Sequence, residues 1–379
     1  MQRGEYEILF HWNHLDWIFP DAARKAAFEQ GQYWKGAMAA GFKLDRDGNY
    51  YLSVPRWAPG IPATVNKIEV VDGKPMLSAY ASWEMNEIGN PAALQSVLGW
   101  EIDENNIAWF LDQGHIEGQP CIDGAQKIVA WDIANNTLVG SYKIPPEIAS
   151  YTASFLNDLV VDNRNGYIYI ADSGIFSDPL EGGIIVFNMK THEYRRVLHQ
   201  HVSVQDVPGY WFEIGGKQVW NDAPMRTGAD GIALSADRKT LYWCPLTARN
   251  LYAIDTVYLQ DYSISQETIA VAVQDLGDKG TNTDGMGADN HGLIYYTMLE
   301  GQGIGVYDPT RATYATLISD ARMVWVDGMT FDNKGYLIFN NNRLHELFRD
   351  QLDWGNPYNL VVWKAYLGEG IRSYLQAKA

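Results

Sequence analysis

Cysteine is nearly absent: 379 residues contain only Cys121 and Cys244. Two thiols without CxxC spacing make neither a disulfide framework nor a zinc site. Each reads as a small buried apolar residue, with one bond between them the only covalent option open. Basic residues are scarce as well, 29 Lys and Arg against 46 Asp and Glu, for a formal net charge of -17. That deficit argues against nucleic acid or an anionic membrane surface, because either needs a positive field. It is compatible with bound cations or a cationic ligand. No apolar run approaches the ~20 residues of a membrane span. The opening MQRGEYEILF lacks the basic-then-apolar order of a signal peptide. The expected location is secreted or periplasmic if a signal has been trimmed, and cytoplasmic otherwise. Also missing are a glycine-rich phosphate loop, a GxSxG elbow and an HExxH motif. The chemistry left is carboxylate acid–base work, polarisation by hydrogen bonds, and aromatic stacking.

Apolar residues, at 46%, suffice for one large core, and the 14 Trp and 23 Tyr suit β-strands. Six similar hairpins run through the chain: GFKLDRDGNYYLSV (41–54), GWEIDENNIAWFLD (99–112), DLVVDNRNGYIYIAD (158–172), GIALSADRKTLYWCP (231–245), GMGADNHGLIYYTM (285–298) and GMTFDNKGYLIFNN (328–341). Each is a strand, a polar turn and a second, aromatic-rich strand. The turn anchors Asp45, Asp103, Asp162, Ser235, Asp289 and Asp332 recur every 43 to 73 residues. A spacing near 50 without helical periodicity is the mark of four-stranded propeller blades. The sequence predicts an all-β fold, a single six-bladed β-propeller over residues 1–379. Its N-terminal strand completes the last blade and closes the ring. A short helix is expected over about 21–31, introduced by Pro20 and Asp21. A long, lid-like aromatic loop is expected over about 202–229, in the widest interval. A strand and a short helix are expected over about 360–379.

Five residues before each anchor stand Ala40, Leu98, Asn157, Asp230, Asp284 and Asp327. Four before stand Gly41, Gly99, Asp158, Gly231, Gly285 and Gly328. If these hairpins carry the innermost strands, both sets lie at the ring axis, where glycine lets backbones approach. Carboxylates converging there must hold protons, or share a cation or ligand. The alternative is that each Asp caps a local turn. Asp230, Asp284, Asp327, Asn157 and Asp158 are therefore the candidate catalytic residues. Asn157, Asp230 and Asp284 are candidate oxygen ligands for Ca2+ or another divalent cation, although no cofactor is required. The strand ends that return to the same face supply Arg56 and Trp57, His115, Glu300, Asn341 and Arg343 as substrate-binding candidates. Trp211 and Trp220 join them from the lid. Arg56 can clamp a carboxylate or oxyanion and Trp57 can stack on a flat ligand.

Several segments resemble the major royal jelly and yellow proteins. They include SVPRWAPGIPATVNKI, IDENNIAWFLDQG, CIDGAQKIVAWDI, LNDLVVD with IADSG, GIALSADRKTLYWCPL, GDKGTNTDGMGAD and MVWVDGMTFDNKGYLIFNNNRL. The resemblance spans about residues 40–345 and implies a six-bladed propeller. That family includes dopachrome-converting tautomerases, binders of biogenic amines, nutritional proteins and cyclisation enzymes. Asn105 and Asn106 stand where those proteins carry a cysteine, so the partner the resemblance implies for Cys121 is missing. More distantly, Asn157, Asp230 and Asp284 are similar in position to the metal ligands of gluconolactonase and senescence-marker lactonase propellers. No counterpart of their Glu is present.

The leading expectation is an isomerase, tautomerase or cyclase acting on an aromatic or quinoid small molecule in the axial pocket. A non-catalytic binder of a small cationic amine and a metal-dependent lactonase are the alternatives. The expected partner is a small-molecule ligand alone, with the chain a monomer or weak homo-oligomer.

Overall fold

Six four-stranded antiparallel sheets are arranged as blades in the computed structural model, which describes residues 2–377. Residues 1, 378 and 379 of the single-domain reading lie outside the described residues. The innermost strands are Phe42–Leu44, Val97–Ile102, Leu156–Asp162, Ala229–Leu234, Met286–Ala288 and Trp325–Phe331. These are the first strands of the six hairpins, in the same order. Blade six takes its outermost strand from Tyr6–Trp12, which pairs antiparallel with Leu360–Tyr366 and closes the ring.

Three of the six repeated turns share one set of bonds. One Asp45 oxygen accepts the backbone N–H groups of Asp47 (2.9 Å) and Asn49 (2.8 Å), and the other accepts the Tyr51 hydroxyl at 2.8 Å. Asp103 repeats this with Asn105, Ile107 and the Trp109 indole, and Asp289 with His291, Leu293 and the Tyr295 hydroxyl. A carboxylate thus fixes the turn, and the aromatic six residues on locks the second strand to it.

Glycines four before the anchors pack against the neighbouring blade. A Cβ on Gly285 would stand 2.2 Å from the Asp327 carbonyl oxygen, and one on Gly99 2.4 Å from that of Asn157. Neither is in the left-handed region, so close approach alone selects glycine here.

The helix Ala22–Gln30 is capped by the Asp21 side chain, which accepts from the N–H of Arg24, and buries Phe28 against Trp17. Short helices Val257–Gln260 and Gln266–Ala272 interrupt blade four, which the strand spacing did not foretell. Ser265 caps the second of them and Ile269 is its buried residue. Within 202–229 a small hairpin pairs Glu213–Ile214 with Lys217–Gln218 around Gly215 and Gly216, both at positive φ. The C-terminal Tyr374–Gln376 turn lies on the side of the ring remote from the aromatic loop. There the Tyr374 hydroxyl bonds both the N–H and the C=O of Val161, each at 2.9 Å, and Arg238 covers its ring. Cys121 and Cys244 are both free and buried.

Candidate functional site

In blades two, three, four and six the inner ladder skips register near the start of the innermost strand. The irregularities fall at Leu98–Gly99, Asn157, Asp230–Gly231 and Asp327–Gly328. A bulge re-aims a side chain, and here it turns Asn157, Asp230 and Asp327 to the ring axis, where Asp284, just ahead of the strand Met286–Ala288, joins them. All four are buried, and they form the floor of a cavity of about 340 Å³. Leu98 and Ala40 fill the remaining axial positions and pack with Phe155, so four positions of the ring are polar and two apolar. Trp57, Phe155, Phe176, Trp220, Trp325 and Phe348 build the walls. Trp57 meets Phe348 edge-on at 5.3 Å. Glu117 and Arg226 stand at the rim. Asp206 and Asp178 hold Arg226 at 2.6 and 2.7 Å.

The floor is a hydrogen-bonded set. The Asn157 amide donates to Asp230 Oδ2 (2.9 Å), the Trp325 indole N–H to Asp284 Oδ2 (2.5 Å), and the Asn342 amide to Asp327 Oδ2 (2.8 Å). Burial pushes the Asp284 carboxyl up to about 6, held there against the lowering pull of the Trp325 N–H. Burial first, and then the charge of Asp284, pushes Asp230 well above the usual carboxylate range. The interaction between the two carboxyls raises Asp230 and lowers Asp284, so Asp230 is the one that holds its proton more firmly. Asp327 is raised by burial and by Asp284, opposed by its bond from Asn342. The floor therefore holds an ionisable base beside a carboxylic acid in a largely apolar chamber.

Asp158 lies one layer lower. It borders a cavity of about 20 Å³ beneath the floor together with Lys43 and the floor carboxylates. That is room for one water. Lys43 Nζ reaches Glu101 Oε2 at 3.3 Å and the Met329 carbonyl at 3.1 Å. Burial raises Asp158 to about 7 against the lowering field of Lys43. It has no access to the upper chamber. With its carboxyl at about 7, Asp158 is mostly protonated while Asp284 titrates near 6, so Asp158→Asn is expected to leave the acid limb of a pH–rate profile in place with the maximal rate kept. Lys43→Met removes a positive charge beneath the base and is expected to move that limb to higher pH. Rate measurements across pH 4–8 check both.

Other sequence candidates sit elsewhere. Arg56 is fully buried and donates to the carbonyls of Ile61 (3.3 Å), Leu94 (3.0 Å), Gln95 and Asn86, so it organises its own loop. His115 lies behind Phe176, with its ring nitrogens 2.8 and 2.9 Å from the carbonyls of Gln119 and Ser154. Glu300 binds Arg249 through two nitrogens (3.0 and 2.8 Å) and the Tyr210 hydroxyl (3.0 Å), tying down the aromatic loop. Asn341 accepts the Trp363 indole N–H at 2.6 Å. Trp211 is 39% exposed and borders no part of the chamber, whereas Trp220 does. Arg343 faces a separate cavity.

The reading of Asn157, Asp230 and Asp284 as a cation cage does not fit this arrangement. The Asn157 amide points an N–H at Asp230, and oxygens of Asp284 and Asp327 are taken by N–H donors. Among the described residues no group of three His, Cys, Asp or Glu side chains is placed to hold a metal ion. Two residues not singled out from the sequence, Trp325 and Asn342, orient the floor carboxylates. Trp325 stands two positions before Asp327, and Asn342 sits at the return of the same hairpin. That placement was the available signal.

The sequence pattern of the major royal jelly protein family matches residues 95–374. The chain is 25% identical over 320 residues to Protein yellow of Drosophila pseudoobscura pseudoobscura, covering 79% of this chain and 54% of that one. It is 29% identical over 265 residues to Major royal jelly protein 9 of Apis mellifera, covering 66% and 58%. The chain thus spans a little over half the length of these relatives. Two solved structures share the fold. One is a gluconolactonase of Xanthomonas campestris (TM-score 0.52, 14% identity, covering 88% of this chain and 87% of that one). The other is the calcium-binding protein regucalcin of Agrobacterium tumefaciens (TM-score 0.52, 10% identity, covering 89% and 93%). Among the described residues no helix is long and apolar enough to cross a membrane.

Proposed function

Given that the chain belongs to the major royal jelly protein family, we propose that it isomerises or cyclises a small aromatic or quinoid molecule in the axial chamber. The observation that carries this reading is the pairing of an ionisable Asp284 with a protonated Asp230 beneath aromatic walls. Asp284 removes a proton from the ring system. Asp230 donates one to the oxygen or carbon that gains electron density, and the Asn157 amide keeps Asp230 in place. The proton balance is internal, so no oxidant or cofactor is consumed. A base near pH 6 in a water-poor chamber is well matched to proton transfer at neutral pH. Trp57 and Trp220 can stack on a flat substrate.

Dopachrome, a quinoid indole, is the test substrate. Its rate of loss is expected to rise as pH passes about 6, when Asp284 ionises, and to fall again at higher pH once Asp230, raised further by burial, loses its proton. A rate flat with pH, or a coloured substrate stable in the protein's presence, would falsify the assignment. The second reading, a binder of small cationic amines, draws on the floor carboxylates and on Glu117 at the rim. Tight calorimetric binding of an arylalkylamine with no product on long incubation would select it.

A further inference from the structure

A second cavity of about 330 Å³ lies beside the axial chamber, between the 213–218 hairpin and the helix Leu344–Leu347. The partition between the two spaces has three parts. In the first, Val324 faces the second cavity and Trp325, next in the chain, faces the chamber. In the second, Arg343 and His345 face the second cavity, and Leu344 between them faces the chamber. Backbone bonds fix both. Trp325 pairs with Asn342 in blade six, and the N–H groups of Glu346 and Leu347 return to the Arg343 carbonyl at 3.0 Å each. The third part is Trp220, the one residue among those described that lines both cavities. There a single side chain, carried by a loop, divides them.

Trp220 is fastened to the partition it completes. Its indole N–H donates to the His345 carbonyl at 2.9 Å, and the Arg349 guanidinium covers one face of its ring at 4.1 Å. Its backbone sits at φ 52°, a left-handed conformation that glycine enters freely and a bulky residue enters only under constraint. The position suits a residue without a side chain and carries the largest one. The spaces it divides also differ in kind. Aromatic rings wall the chamber above its carboxylates, whereas Lys217, Gln218 and Gln302 give the second cavity a polar lining.

We infer that Trp220 determines how large a substrate the chamber accepts. It confines the site to one flat ring system with a short substituent. It shuts out analogues whose substituent would run on into the second cavity. This rests on the reading of the axial chamber as the place where the small molecule reacts. Removing the indole joins two spaces of similar volume, so specificity broadens toward longer molecules with a polar end.

Dopachrome and its 4-hydroxybenzyl ester test this, compared by kcat/KM in wild type, Trp220→Gly and Trp220→Phe. The wild type is expected to favour dopachrome. In Trp220→Gly, whose backbone needs no rearrangement at this φ, the ester is expected to gain at least about tenfold relative to dopachrome, the worth of burying one more ring. Trp220→Phe keeps a smaller ring in the partition and is expected to lie between the two. Equal use of both substrates by the wild type overturns the inference. So does a ratio unchanged in both variants, or a loss that falls equally on the two substrates, which is the mark of a merely structural residue. Failure of all three proteins to convert either substrate is a different result: it removes the reaction proposed above, and this inference with it.

Discussion

Asp284→Asn is expected to lose turnover by ~10²–10⁴-fold, the usual contribution of a positioned general base, while the protein becomes more stable at pH 8. The substitution keeps an oxygen to accept the Trp325 N–H, so the floor retains its shape. The stability gain follows from the raised carboxyl, whose value moves from 3.8 to about 6 on folding. Below pH 3.8 both states are protonated and burial of the group carries no electrostatic cost. As pH rises through 6 the unfolded chain has already ionised, and the folded one must ionise in a dry site. At 1.36 kcal/mol per pH unit the wild type therefore gives up about 3 kcal/mol across this window. The asparagine variant is spared that loss. Thermal unfolding at pH 5 and pH 8, run beside a dopachrome assay, reads both effects. A variant that keeps the wild-type rate removes Asp284 as the base. One that loses rate and stability together at every pH assigns it a structural role only.

Arg56→Met carries the largest expected loss of stability, ~3–5 kcal/mol. Its guanidinium satisfies four carbonyls from three parts of the chain, Ile61, Asn86 and the Leu94–Gln95 pair. Burial pulls its value down to about 10, which registers how little solvent reaches it. Methionine fills part of the space but donates nothing, and four buried acceptors are orphaned at once. The folded fraction is expected to keep its kcat, because Arg56 does not border the chamber. Urea unfolding with activity measured per folded molecule separates the two. A fall in kcat at unchanged stability would return Arg56 to the site.

Those two residues also show how far the sequence could be read. Asp284 was found by register: it precedes its turn anchor by five residues, as Asn157, Asp230 and Asp327 do. A ring of six copies turns equal register into equal position. The chain therefore discloses its axis, since an anchor is written into every hairpin, an Asp in five of the six. Arg56, His115 and Glu300 were placed correctly at the returning ends of second strands, but their directions were not legible. Whether such a side chain enters the chamber or turns back on carbonyls depends on loop conformation, which has no period. Trp325 was invisible for another reason. Its value lies in a bond to Asp284 from the neighbouring blade, a pairing between residues 41 apart in sequence. Trp211 and Trp220 looked equivalent in a loop without pattern, and only the pairing around Gly215 and Gly216 sends one outward and the other to the wall.

Ring closure through Tyr6–Trp12 has a bearing on synthesis. Tyr6 pairs with Ala365 and Trp12 with Leu360, so this strand has no partner until the rest of the ring has been made. Earlier blades can fold behind it, each from contacts local in sequence, but the last seam joins the first and last strands of the ring. Contacts of such separation are the slow ones in folding. Until they form, blade six exposes a strand edge able to pair with another nascent chain. The edge left open longest belongs to Tyr6–Trp12. Crowded ribosomes on one message would thus favour exchange of the N-terminal strand between neighbours over any other misassembly of this ring.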